Sequence, residues 1–136
     1  MELKVEKIKF FITVISVSGR VDGSNYRELI DLAEEQFAEG TEKLVLELGA
    51  CEFMSSAGMV ALHSIALLAR GEKPADTDQG WRAIGAVSMD KDSGIQENFV
   101  LANLQPQIHA TLEKTGLLEY FKFFDDRQQA VEFFME

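Results

Sequence analysis

One cysteine, two histidines, two prolines and one tryptophan in 136 residues set the first limits on this chain. A single thiol, Cys51, excludes an internal disulfide and leaves no Cys-based zinc site. His63 and His109 add little toward a metal set, so neither metal nor cofactor is expected. Basic residues are scarce too: 13 Lys and Arg stand against 23 Asp and Glu, a formal net charge of −10. That balance repels phosphate-rich surfaces and argues against nucleic acid or an anionic membrane as main partner. No run reaches the roughly 20 apolar residues of a membrane span. The opening Met1-Glu2-Leu3-Lys4 lacks a basic stretch leading into an apolar one, so no signal peptide is expected. What is present is ordinary: 46% hydrophobic and 26% charged residues, enough for a real core. One soluble, cytoplasmic domain spanning 1–136 is the expectation.

Along the chain, Leu3 and Val5 alternate with charges, as in a strand. Residues 10–17 are β-branched and aromatic on nearly both faces, as in a central strand. The stretch 18–23, with two glycines, is expected to break it. Tyr26, Leu29, Ile30, Ala33 and Phe37 then fall on one helical face, opposite Glu28, Asp31, Glu35 and Glu39. This predicts a helix over 24–39, stopped by Gly40. Residues 43–48 read as a short strand and 49–55 as a turn. Ser56 is placed to cap a helix over 57–70. That helix is apolar almost all round, which means it is buried or docks a partner.

Residues 71–97 carry Gly71, Pro74, Gly80, Gly85 and Gly94 among several aspartates and read as a loop insertion. Within it, 81–87 has the pattern of an extra edge hairpin strand, and Trp81 either anchors a partner or packs on its own domain. A strand over 99–104, a helix opened by Pro106 and closed by Gly116, a strand over 120–124 and a helix over 126–135 complete the chain. Asp125 or Asp126 would cap the last helix. The phenylalanines at 121, 123, 124, 133 and 134 read as core. The order is β-β-α-β-α-β-α-β-α, an α/β fold with a largely parallel sheet.

The best candidate for chemistry is Glu52-Phe53-Met54-Ser55-Ser56-Ala57-Gly58-Met59, where a strand meets the start of a helix. Backbone N–H groups there favour negative charge, so a serine at this point suits a phosphate. The plainer reading is a helix cap, and spacing leaves both open. A catalytic serine fails on its surroundings. Gly49 and Gly58 do not frame a Gly-x-Ser-x-Gly elbow, and His63 lies about two helical turns away. No phosphate loop of the Gly-x-x-x-x-Gly-Lys type exists. Asp90-Lys91-Asp92-Ser93-Gly94 begins like a calcium loop but puts Gly94 where the third ligand belongs. Cys51 has no cation near it in sequence and reads as structural.

The run Leu44-Val45-Leu46-Glu47-Leu48 through Phe53-Met54-Ser55-Ser56-Ala57-Gly58-Met59 resembles the signature of STAS domains, specifically bacterial anti-sigma factor antagonists. Ser18-Gly19-Arg20-Val21-Asp22 resembles the family segment between second strand and first helix. Residues 99–117, ending Lys114-Thr115-Gly116-Leu117, and Phe123-Phe124-Asp125-Asp126 with Ala130 resemble its later elements. The resemblance implies a STAS fold: a mixed, mostly parallel sheet of four to five strands with about four helices, plus an insertion at about 71–97. It implies a non-enzymatic regulator that, unphosphorylated, binds an anti-sigma factor that is also a serine-threonine kinase, freeing a sigma factor. Phosphorylation of Ser56 would end the complex and a protein phosphatase would reset it. Partner-binding positions would be Asp22, Met54, Ser55, Ser56, Ala57, Gly58 and Met59, and a homodimer is allowed. Two departures stand out: the family's Asp before the acceptor is Ser55, a rival acceptor, and its following hydroxyl residue is Ala57. The alternative is a STAS scaffold or sensory module that self-assembles or binds a small ligand without a working phosphoswitch.

Overall fold

A computed structural model describes residues 1–9, 11–72 and 96–135. The expected strand over 81–87, Trp81, and most of the insertion at 71–97 lie outside those residues. The described elements are β1 (Glu2–Ile8), β2 (Ile12–Val21), α1 (Tyr26–Ala38), β3 (Lys43–Met54), α2 (Ser56–Ala69), β4 (Phe99–Ala102), α3 (Pro106–Thr115), β5 (Lys122–Phe124) and α4 (Arg127–Met135). A short 3-10 turn, Leu117–Glu119, joins α3 to β5. Order and type match the sequence expectation.

The five strands lie in the order β1-β2-β3-β4-β5. β1 runs antiparallel to β2, and the other neighbours are parallel. Each parallel pair is joined by a crossover helix, and all three steps move the same way across the sheet. Right-handed crossovers then put α1, α2 and α3 on one face. There they cover Ile15, Val17, Leu44, Leu46, Leu48, Phe99 and Leu101 with Leu29, Ala33, Leu62, Ile65, Ile108 and Leu112. α4 closes on the other face, where Ala130 and Phe134 pack on Ile12, Val14, Val45 and Val100. Among the described residues the strand order never reverses, so these five strands form no switch-point crevice of the kind that seats nucleotides in doubly wound folds.

Two strands outrun their expected ends. β2 continues through the Ser18-Gly19-Arg20 segment, and β3 continues through the expected turn at 49–55 as far as Met54. They lengthen together: Ser18 pairs with Ala50, Gly19 with Cys51, Arg20 with Phe53 and Val21 with Met54, with irregularities on either side of Ser18 and Gly19. Gly19 takes φ +90°, which favours glycine. Cys51 is thus on a strand, buried, its thiol pushed above its ordinary pKa by desolvation. The aromatic cluster is mixed: Phe121 is buried, whereas Phe123 is 42% exposed, because three-residue β5 is the sheet margin.

Asn98 joins the end of α2 to the start of β3 just ahead of β4. Its side-chain amide donates to the Ala69 carbonyl at the end of α2, its side-chain oxygen accepts from Lys43 Nζ, and its backbone carbonyl accepts from Leu44 N–H. Asp126 caps α4 by accepting from Gln129 N–H at 2.8 Å.

Candidate functional site

Where β2 and β3 end, two turns come side by side. Ser55 N–H donates to Val21 C=O at 2.9 Å, which ties the start of α2 to the residue before Asp22. The serine expected to cap α2 is not the one that does. Ser55 occupies the cap, with extended backbone, and its Oγ accepts from Ala57 N–H at 3.2 Å. Ser56 is the first residue of the helix proper. The two serines therefore differ in state: Ser55 is half-buried with its hydroxyl engaged, while Ser56 is exposed.

The residues around them hold this geometry. Gly58 is buried in the first turn of α2. A Cβ there would collide with Met54 Cγ and sit 3.2 Å from Met54 Sδ and 3.3 Å from Val21 Cγ1. Only a bare backbone lets α2 approach the ends of β2 and β3 this closely. Met54 is itself 4% exposed. So of the expected site positions, Met54 and Gly58 lie inside, where they set the height of the turn. Ser56 lies outside, and Ala57 and Met59 are partly accessible.

Asp22 is brought to the same end. Its carboxylate accepts from Ser24 Oγ at 2.5 Å and from Ser24 N–H at 2.9 Å, and its own N–H donates to Asn25 Oδ1. These Ser24 bonds, side-chain first, hold its pKa below the ordinary carboxylate value, with Arg20 adding a smaller pull. Asn25 closes the turn by donating from Nδ2 to Arg20 C=O at 2.9 Å.

Two features of this end were not read from the sequence. Arg20 lies 4.4 Å from the ring centroid of Phe53, which is 39% exposed, so an aromatic with a cation on its face flanks the turn. A polar lock also fastens the outer half of β3 to the segment after β4. Glu47 accepts from Gly49 N–H at 2.7 Å and Asn103 Nδ2 at 3.0 Å, while Gln105 Nε2 donates to Gly49 C=O at 2.7 Å. Gln107 Nε2 donates to Glu52 C=O. Apart from the Glu47–Gly49 bond, the partners lie 55 or 56 positions apart, so no local spacing announces them.

Chemically, the arrangement offers an exposed hydroxyl on the first turn of a 14-residue helix, where unpaired N–H groups and the helix dipole stabilise added negative charge. Neither histidine belongs to the turn: His63 is buried seven positions along α2, and His109 lies on α3 against Phe123. Among the described residues, no cluster of three or more His, Cys, Asp or Glu is arranged to hold a metal.

A family model described as STAS domain matches residues 3–71, the part that runs from β1 to the end of α2 and contains both turns. The chain belongs to the STAS domain family. Solved structures extend the likeness to the whole fold. An anti-sigma factor antagonist from Mycobacterium paratuberculosis superposes with a TM-score of 0.70 at 20% identity, over 99% of this chain and 94% of that one. The anti-sigma factor antagonist SpoIIAA in its unphosphorylated form gives 0.63 at 16% identity, over 96% and 94%. Part of the murine anion transporter Slc26a9 gives 0.63 at 13% identity, covering 94% of this chain but 18% of the transporter. No curated protein sequence matches the chain. Within the described residues, no helix is long and apolar enough to cross a membrane.

Proposed function

We propose that this STAS domain is an anti-sigma factor antagonist: unphosphorylated, it binds an anti-sigma factor that is also a serine-threonine kinase, and phosphorylation of Ser56 breaks the complex. The observation that carries the reading is the division of labour between the two serines. Ser55 is committed to the cap, and Ser56 presents its hydroxyl to solvent on the first turn of α2. A phosphate there gains from the helix N-terminus, so the modified state is stable, yet it adds about −1.5 to −2 charge to the docking surface. Desolvating that charge opposes binding, and about 1.4 kcal/mol removes each tenfold of affinity. The surface a partner meets is Ser56 with the accessible parts of Ala57 and Met59 and the neighbouring Asp22 turn. A protein phosphatase restores the binding form.

The protein is to be incubated with a kinase-type anti-sigma factor encoded beside it and ATP, and the phosphate mapped by mass spectrometry. Label on Ser56, absent in Ser56→Ala and retained in Ser55→Ala, is the expected result. Absence of label from both serines rejects the switch. One departure favours a second reading, a STAS scaffold without a phosphoswitch: Ser55 leaves no carboxylate beside the acceptor. It predicts that the anti-sigma factor binds the chain equally with Ser56 or Ser56→Glu.

A further inference from the structure

β1 forms one margin of the sheet, and among the described residues no strand pairs with its outer edge. At seven residues it is more than twice as long as β5 on the opposite margin. An unpaired edge of that length is a template for another strand. The sequence of β1 says which. Side chains alternate across a strand, so Glu2, Lys4, Glu6 and Ile8 share one face and Leu3, Val5 and Lys7 the other.

Consider a second copy laid antiparallel against this edge so that Val5 meets its own twin. All seven residues then pair, and Lys4 falls opposite Glu6 of the second copy on both sides of the two-fold. Centring instead on Lys4 or on Glu6 sets like charges face to face, which is unfavourable for directly opposed residues. Edge lysines usually keep strands apart. Here Lys4 has Glu6 at the matching place, while Lys7 falls opposite Leu3 and is paired with Glu39 of its own chain, so the central pattern is self-complementary. Val5 is 40% exposed in the single chain, and this register covers it with an identical side chain.

We infer that β1 pairs with β1 of a second copy in this register, joining two sheets into one continuous ten-stranded sheet with two-fold symmetry. The contact is smaller than the ~1,200–2,000 Å² of stable interfaces, so the dimer is concentration-dependent. It lies on the margin of the sheet and does not depend on the reading of Ser56.

Sedimentation equilibrium on the wild-type chain and on Lys4→Glu, Glu6→Lys and Val5→Asp tests it. Wild type is expected to dimerise, and each variant to weaken the dimer about tenfold or more, because each opposes like charges across the two-fold. Mixing Lys4→Glu with Glu6→Lys restores every opposite pair and is expected to give a heterodimer. Glu6 also meets Arg127 of its own chain, so circular dichroism confirms that its variant is folded. If that variant does not fold, Val5→Asp carries the test. A wild-type chain that stays monomeric up to about 1 mM, the range of the weakest specific encounters, overturns the proposal. So does a dimer indifferent to these variants.

Discussion

The two turns at the ends of β2 and β3 begin alike and finish differently. Each follows a strand, the strands end in register at Val21 and Met54, and each turn opens a helix. The β2–α1 turn consumes its polar groups internally: Asp22, Ser24 and Asn25 bond one another and the Arg20 carbonyl. The β3–α2 turn satisfies itself with one serine and leaves the next exposed. The first is therefore a brace, and the second is a brace carrying a handle. Neighbouring serines of identical chemistry acquire different surroundings from a one-residue difference in helix position.

Substitutions can break that contrast, and the largest effects should fall on the residues that seat the turn. Met54→Ala removes a buried side chain beneath Gly58 and should destabilise the fold by about 2–5 kcal/mol in chemical denaturation. Gly58→Ala drives a methyl group into Met54 and should cost about 1–3 kcal/mol, lifting the start of α2. Binding to the proposed kinase partner should fall with it, and Met54→Ala combined with Gly58→Ala should recover part of the stability, because the methyl then finds room. Ser55→Ala loses the cap and should cost about 0.5–2 kcal/mol. Ser56→Ala should stay within about 0.5 kcal/mol of wild type. If Ser55→Ala and Ser56→Ala prove equally destabilising, the difference between handle and brace is wrong.

The smallest expected effect belongs to the other turn and to pH. The Asp22 carboxyl titrates below its ordinary value in the folded chain. Its contribution is therefore complete above the ordinary carboxylate range and is lost as pH falls through the lowered value. Asp22→Asn should lower stability slightly at neutral pH and flatten the acid limb of a stability-against-pH curve by the same small amount. A steeper acid limb in the variant would contradict the role given to the Ser24 bonds.

Periodicity in the sequence was enough to place every described element in order, because the apolar stripes of α1 and the strands are local patterns. Boundaries were less legible where pairing, not composition, extends a strand. Gly49-Ala50-Cys51-Glu52 has the makeup of a turn, yet it is held extended by β2 and by the Glu47–Asn103–Gln105 lock. The all-apolar α2 posed a choice between burial and docking. The structure shows residues 60–66 buried, with the accessible positions of α2 confined to its first turn and to its last residues, Leu67, Leu68 and Ala69. The candidate site was legible as a segment, since strand, serines and glycine are contiguous. Which serine caps the helix was not, because both are equally good caps and the decision rests on where β3 stops. The Arg20–Phe53 stack was also out of reach, since it needs the register between β2 and β3.

The Asn98 clamp has a consequence for what this scaffold can carry. With Ala69, Lys43 and Leu44 all tied to one asparagine, the end of α2 and the approach to β4 are held together by bonds made outside residues 71–97. The entropy lost in closing a flexible loop grows only logarithmically with its length, about 0.6 kcal/mol for each doubling. The connection between α2 and β4 can thus change in length at small cost. This occurs past the end of α2 remote from its Ser56 turn. A change of length there leaves the turn that seats Ser55 and Ser56, at the opposite end of α2, as it was.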